Sequence, residues 1–284
     1  MAKKLFKVAI AYDFDGTLAP GNMQEHNFLP ALGIKPKAFW TNAKKKAKEN
    51  DMDEILAYMQ LTIKEAENKN LPIRKSDFIN YGKSIEFFEG VESYFDRINA
   101  YAKKKGLLIE HYIISSGLRE FVKGTKISKH FKNIFASGFE YDANGVAIWP
   151  ALAVNYTSKT QYLFRINKGI NNSYDNQEIN KHMPEDQRYI PFERMIYLGD
   201  GETDVPAMKM IKYKGGKAIA VYNPKLRAKK NKKSPKQICE DLISQNRVDY
   251  IAPANYSDGS ELDKLIKLII DKISAEIQLM KYEK

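Results

Sequence analysis

Four short apolar runs, each stopped abruptly by small or acidic residues, restrict this chain more than any other feature. Phe6 to Tyr12 (FKVAIAY) runs into Asp13-Phe-Asp15-Gly-Thr17, and Leu107 to Ser115 (LLIEHYIIS) ends in Ser115-Ser116-Gly117. Arg194 to Leu198 (RMIYL) runs into Gly199-Asp200-Gly, and Lys217 to Tyr222 (KAIAVY) into Asn223-Pro224. A run that is apolar without alternation is what a strand buried on both faces requires, and such strands belong to parallel sheets covered by helices. Helical patterns lie between several of the runs, for example Leu118 to Phe131. Strands alternating with helices predict an α/β fold built on a parallel sheet. Open parallel sheets bind ligands beyond the carboxyl ends of their strands. The residues that stop the runs are therefore the candidate functional residues.

The stretch from about Asn22 to Phe88 has no strand-like run. Pro36 to Asn50 and Met52 to Asn68 read as helices, and Ser76-Asp77 as the cap of a short third one. This is a small helical insertion, residues 21–88, dividing an α/β core of residues 1–20 and 89–284. Phe139 to Ile148 reads as a β-hairpin turning at Asn144-Gly145. Asn167 to Arg188 is polar and reads as a long loop, and Ser260 to Met280 as an amphipathic helix.

Hydrophobic residues make up 43% of the 284 residues and aromatics 12%, enough for a substantial core. The single cysteine, Cys239, excludes an internal disulfide and a multi-cysteine zinc site, and fits a reducing, cytoplasmic setting. The N-terminal apolar stretch is broken by Lys7 and stopped by Asp13 without a cleavage pattern, so it reads as a strand, not a signal peptide. No apolar run reaches membrane-spanning length. Net charge is +11, carried by lysines spread over the whole chain. The densest run, Lys225 to Lys236, has no interleaved aromatics and reads as a solvated loop and helix face, not a nucleic-acid groove. A general attraction for anionic substrates follows.

Asp13 and Asp15 end the first strand together. Two acids this close repel unless a cation or a shared proton separates them. Mg²⁺ is the simplest solution, because hard cations take oxygen ligands. A turn in which both carboxylates cap backbone groups would use the same residues. Asp200 and Asp204 place further carboxylates at another strand end, where Asp200 would complete the metal site and Asp204 support the loop, or Thr203 or Asp204 begin a helix through Ile211. Ser115, Ser116 and Gly117 end a third strand and open a helix, a setting for a phosphate or for an ordinary serine cap. Lys159 begins another helix. Gly82-Lys83-Ser84 lacks the upstream glycine of a phosphate-binding loop, where Asp77 stands.

Asp-Phe-Asp-Gly-Thr-Leu, the strand ending in Ser-Ser-Gly, the lysine, and Gly-Asp-Gly-Glu-Thr-Asp occur in this order. The set resembles the four motifs of the haloacid dehalogenase superfamily. The resemblance implies a Rossmann-like core and a Mg²⁺-dependent phosphatase working through an aspartyl-phosphate intermediate. Asp13 would be the nucleophile and Asp15 the general acid and base. Asp13, the backbone carbonyl of Asp15 and Asp200 would hold Mg²⁺, with Asp204 and Thr17 behind them. Ser115, Ser116, Gly117 and Lys159 would bind the phosphoryl group. An acid at Asp15 argues against the dehalogenase branch, because halide needs no proton. The position of the insertion resembles that of the phosphoserine phosphatase group, where it closes over the site as a cap. Some members of that group carry a glutamate shortly after the first motif. Here Leu18-Ala-Pro-Gly-Asn22 stands there, with Glu25 only further on. Asn22, His26 and Asn27 are placed to face a substrate as the insertion begins.

The expected partner is a small phosphorylated metabolite, with no membrane, nucleic acid disfavoured and the oligomeric state not readable. A phosphotransferase or mutase on the same scaffold, and a phosphonate hydrolase using an insertion lysine, are the enzymatic alternatives. A nucleic-acid-binding or scaffold protein with a dormant site is the alternative of another class, and the intact motif acids speak against it.

Overall fold

The computed structural model describes residues 5–228, 232–280 and 282. Its first strand, β1 (Phe6–Tyr12), leads into five helices: α1 (Met23–His26), α2 (Phe28–Ala31), α3 (Pro36–Glu49), α4 (Glu54–Asn68) and α5 (Lys75–Gly82). Then follow α6 (Val91–Lys104), β2 (Leu107–Leu118), α7 (Arg119–Gly124), the hairpin β3 (Phe131–Tyr141) and β4 (Ala147–Leu152), α8 (Lys159–Lys168) and α9 (Asn176–Asn180). The chain closes with β5 (Met195–Gly199), α10 (Val205–Tyr213), β6 (Lys217–Tyr222), α11 (Pro235–Ser244), β7 (Tyr250–Pro253) and α12 (Glu261–Leu279).

Among the described residues seven strands form one sheet in the order β4-β3-β2-β1-β5-β6-β7, parallel except for the β3–β4 hairpin. This is a Rossmann-type α/β fold. β1 sits at its centre, Val8 opposite Ile109 of β2 and Ala11 opposite Tyr197 of β5. Alternation along β1 sends Val8, Ile10 and Tyr12 to one face and Ala9 and Ala11 to the other. The first face packs on Tyr94, Phe95 and Ile98 of α6 and Leu262, Ile266 and Ile270 of α12. The second meets α8, α10 and α11, which supply Tyr162, Met208 and Cys239. On the first face Tyr12 Oη lies 2.9 Å from His111 Nδ1, and His111 Nε2 lies 2.9 Å from Asn99 Oδ1. The amide oxygen can only accept, so Nε2 carries the proton and Nδ1 accepts from Tyr12. Burial holds this ring neutral, pushing its pKa down to about 3.

The insertion shares the core of the sheet. Phe28 of α2, Phe78 of α5, Phe121 of α7 and Phe139 of β3 form one aromatic cluster, with Phe78 centred 5.6 Å from both Phe121 and Phe139 and stacked on the latter. Gly82 and Gly124 let α5 and α7 touch: a Cβ on either would overlap a carbonyl of the other segment, Phe121 or Ile79. Gly82 is thus a packing glycine. Backbone bonds from Lys75 N to Gly145 O and from Ala147 N to Ile73 O, each 2.9 Å, tie the insertion to the hairpin turn. That turn is held by Asp142, whose carboxylate accepts from Asn144 N and Val146 N.

Several expectations needed correction. The helix expected over Leu118 to Phe131 is only Arg119–Gly124, because β2 runs on to Leu118 and the close contact with α5 stops α7 at Gly124. The short helix begins after Arg74 instead of at Ser76, with the Asp77 carboxylate accepting from Arg74 N at 2.8 Å. The polar stretch from Asn167 to Arg188 is organised around Arg165, a fully buried guanidinium that donates to the carbonyls of Asn172, Ser173 and Asp175. Within the basic run, residues 229–231 lie outside the described residues. No helix among the described residues is long and apolar enough to cross a membrane.

Candidate active site

β1 and β5 are neighbours in space although four strands apart in sequence, and the strand order reverses between them. Asp13 N–H donates to the Leu198 carbonyl at 2.8 Å, which sets the ends of the two strands side by side. Open parallel sheets bind ligands at such a switch point. Asp13 Oδ1 accepts from Phe14 N at 2.7 Å and Oδ2 lies 3.0 Å from Lys159 Nζ. Lys159 Nζ also donates to Asp204 Oδ1 at 2.6 Å, where the Tyr197 hydroxyl donates at 2.7 Å. Asp204 Oδ2 accepts from Asp200 N at 3.2 Å. Asp204 precedes α10 without capping it, because its carboxylate turns inward to the lysine. Carboxylate oxygens of Asp13, Asp200 and Asp204 all lie within 4.8 Å of one another. Asp204 is held by three donors, Lys159, Tyr197 and Asp200 N, and Asp13 by two, which leaves more acceptor capacity for an added cation on Asp13 and Asp200. Gly16, at φ +72°, lets the loop pass against Asp200, whose carboxylate a Cβ there would overlap.

This crowding governs the charges. Burial, then Asp204, raise the Asp13 carboxyl to about 6, against the pull of Lys159. Asp15 is raised by burial and then by Asp13, and Asp200 by burial and then by Asp204 and Asp13. Burial works against the Lys159 ammonium, yet Asp13 and Asp204 outweigh it and hold the charge. Among the described residues, four carboxylates converge around this one buried ammonium. A hard divalent cation with oxygen ligands is the group this donor set fits.

A cavity of about 490 Å³ opens above Asp13, Asp15 and Asp200. Its side wall is the Ser115-Ser116-Gly117 turn. There the β2–β3 register passes from Ser115↔Ala136 to Leu118↔Ser137, so Ser116 and Gly117 bulge out of the ladder. The helix expected to open at this turn begins only at Arg119. The turn's anion-binding capacity therefore rests on the serines and the bulged backbone. Asp15 Oδ1 accepts from Met23 N at 2.8 Å, so the insertion touches the acid directly. The roof is Trp40 from α3 with Glu54 and Tyr58 from α4, and Tyr156 from the loop before α8. Asp53 caps α4 through Oδ1 and accepts from Asn155 through Oδ2 at 2.8 Å, while Tyr156 Oη lies 3.3 Å from Glu54.

The structure brings Asp13, Asp15, Ser115, Ser116, Gly117 and Asp200 to one cavity, with Lys159 and Asp204 directly beneath. Thr17 is fully buried and offers its carbonyl to Tyr256. Asn22 lines the cavity, its amide bound to Glu25 at 2.7 Å. His26 and Asn27 do not line it: His26 Nε2 turns back to the Pro20 carbonyl, and Asn27 donates to Ser84. The intervening helix α1 rotates both side chains off the cavity face. Gln24, buried with an unpartnered Oε1, lines it instead. Trp40, Tyr58 and Tyr156 also escaped the sequence reading, because only packing of α3 and α4 over the strand ends gathers them.

Comparison with known proteins identifies the family and the fold. Residues 10–209 match the family model of haloacid dehalogenase-like hydrolases. An uncharacterized protein of Borreliella burgdorferi is 30% identical over 299 residues, covering 95% of this chain and 98% of its own. A phosphoserine phosphatase solved as a phospho-aspartyl intermediate analogue shares the fold at a TM-score of 0.54 and 15% identity, covering 93% of this chain and 99% of that one. A HAD family hydrolase of Salmonella enterica serovar Typhi aligns at a TM-score of 0.51 and 20% identity over 78% of this chain and 64%, under two thirds, of that one. With a family match that spans most of the chain and takes in every acid of the site, this protein belongs to the haloacid dehalogenase-like hydrolase family.

Proposed function

We propose that the protein is a Mg²⁺-dependent phosphatase that hydrolyses the phosphomonoester of a small metabolite. The observation that carries the reading is the convergence of Asp13, Asp15, Asp200 and Asp204 on the buried Lys159, an arrangement with too much negative charge for one ammonium. Asp13 Oδ attacks phosphorus, the ester P–O bond breaks, and Asp15 gives its proton to the leaving oxygen. Water then attacks the phosphorus of the aspartyl phosphate, Asp15 takes its proton, and Asp13 departs with inorganic phosphate released. The raised pKa of Asp15 supports its first role, since a carboxyl must hold a proton to donate one. Asp13 and Asp200, with the Asp15 carbonyl, would hold Mg²⁺. The ion would screen the repulsion between carboxylate and phosphate dianion. Ser115, Ser116 and Lys159 would receive the phosphoryl oxygens. The helices of residues 21–88 act as a cap over a core of residues 1–20 and 89–284, excluding water and selecting the leaving group. The test is a panel of phosphorylated metabolites assayed with Mg²⁺ for phosphate release, alone and with an acceptor alcohol. Release without acceptor, lost in Asp13→Asn, upholds the proposal. Turnover only with an acceptor would make the protein a transferase, and wild-type-like activity in Asp13→Asn would reject the nucleophile.

A further inference from the structure

We propose that Tyr58 is a positioning residue of the phosphoryl pocket: its hydroxyl reaches from the helical insertion to the Ser116 carbonyl and holds the 115–117 turn in its working conformation. The inference rests on the phosphatase reading only in assigning that turn to the phosphoryl group. Because Ser116 and Gly117 bulge out of the ladder, their peptide lacks the strand bonds that hold its neighbours and must be fixed by other groups. The Ser116 carbonyl accepts from Tyr58 Oη at 2.9 Å and from Ser137 Oγ at 3.0 Å, and Ser137 Oγ itself accepts from Val154 N at 3.0 Å. On the other side of the same peptide, Gly117 N–H donates to Ser115 Oγ at 3.0 Å. That bond occupies a lone pair of the Ser115 oxygen, so the serine's own proton must point elsewhere, and Ser115 borders the cavity.

Rotating the 116–117 peptide would therefore redirect the Ser115 hydroxyl. Met23 of the insertion packs directly on Gly117, where a Cβ would overlap its thioether. Of the two donors on the carbonyl, Ser137 belongs to the sheet and Tyr58 to α4. The pocket is fully braced only when α4 is seated. Burial pushes the Tyr58 phenol far above its ordinary pKa, so it remains a donor throughout the working pH range.

Tyr58→Phe removes the hydroxyl and keeps the ring, which packs edge-on against Trp40 at 5.6 Å. Orthovanadate binding with Mg²⁺ is measured by calorimetry, beside hydrolysis of an aryl and an alkyl phosphate. A lost buried hydrogen bond predicts vanadate binding weaker by about tenfold and kcat/KM lower by about the same factor for both esters. In a Ser115→Ala background the same substitution should cost less than about twofold, because both act through one hydroxyl. Asp53→Asn, which keeps the Oδ1 cap of α4 but severs a different tie between insertion and core, the bond from Asn155, should leave vanadate binding within about twofold, because Asp53 does not border the cavity. Unchanged vanadate binding in Tyr58→Phe, full additivity with Ser115→Ala, or a loss confined to one ester would overturn the proposal, the last making Tyr58 a leaving-group contact. If the wild type binds vanadate but hydrolyses neither ester, the phosphatase reading fails and the binding data alone decide for or against Tyr58. A wild type that does not bind vanadate would overturn both.

Discussion

Asp13 and Tyr58 face one cavity from opposite sides and are fixed by different means. Asp13 ends a central strand whose backbone is bonded on both sides, and each of its carboxylate oxygens has a partner within 3.0 Å. Tyr58 stands on a helix tied to the rest of the site by side-chain bonds: Asp53 to Asn155, Glu54 to Tyr156 and its own to Ser116. The floor is inseparable from the sheet, so its geometry is as stable as the fold. The roof packs Phe39, Met59 and Ile63 of α3 and α4 into the same apolar core, and its cavity-facing side adds a few exchangeable polar contacts. On the proposed function, reaction chemistry falls to the first side and choice of leaving group to the second.

The sharpest way to break the comparison is at the floor. Asp13→Asn should lower turnover by about a thousandfold or more while leaving the fold intact. The metal-free melting temperature should stay equal or rise, since one charge leaves a repulsive cluster; a clear fall in it would contradict the picture of crowded carboxylates. Lys159→Met should cost about 3–5 kcal/mol in urea denaturation, because Asp13 and Asp204 lose their buried counter-charge. A cost below about 1 kcal/mol would place that cluster in solvent-like surroundings.

Next in size is a linked effect of pH and metal. Asp13 is raised from 3.8 to about 6, chiefly by burial and then by Asp204. A raised carboxyl favours folding while protonated, so this stability is present below about pH 4 and lost as pH rises through about 6. The metal-free protein should therefore lose on the order of 2–3 kcal/mol from this group between pH 4 and 8. Mg²⁺ should raise the melting temperature more at pH 8 than at pH 5, and an equal gain at both would count against a carboxylate site for the ion. The smallest effect is expected at the roof. Trp40→Ala should shift KM among esters with unlike leaving groups by several-fold and leave kcat within about twofold, as compared in steady-state assays. A uniform loss of kcat would move Trp40 from the roof to the floor in function.

How much of this was legible depends on how local the signal is. β1, β5 and β6 could be read because a doubly buried strand is written into a few consecutive residues, and Asp13, Asp15 and Asp200 stand where those residues stop. α12 could be read from its periodicity and from Ser260, whose hydroxyl caps it by accepting from Asp263 N. The helices α6 and α11 and the edge strand β7 were not assigned. The four residues of β7 are too few to show a pattern, and α6 starts from Gly90 at φ +82° with no side-chain cap to announce it. Leu118 to Phe131 misled because its apolar spacing serves a strand end, one short helix and the start of the next strand in turn. His26 and Asn27 misled because loop polarity says nothing about direction: one turn of helix points them at Pro20 and Ser84.

By itself the sequence determined the alternation of strands and helices, the acids at the strand ends, and the place where the helical segment interrupts them. These follow from hydrophobic periodicity and from the chemistry of residues adjacent in the chain. Only the tertiary structure decided that Lys159 sits between Asp13 and Asp204, that Gln24, Trp40 and Tyr156 border the cavity, and that Tyr58 braces the Ser116 carbonyl. Those pairings join residues tens to well over a hundred positions apart, and no local pattern encodes them. They exist because packing of the whole core brings the ends of β1, β2 and β5 under α3 and α4.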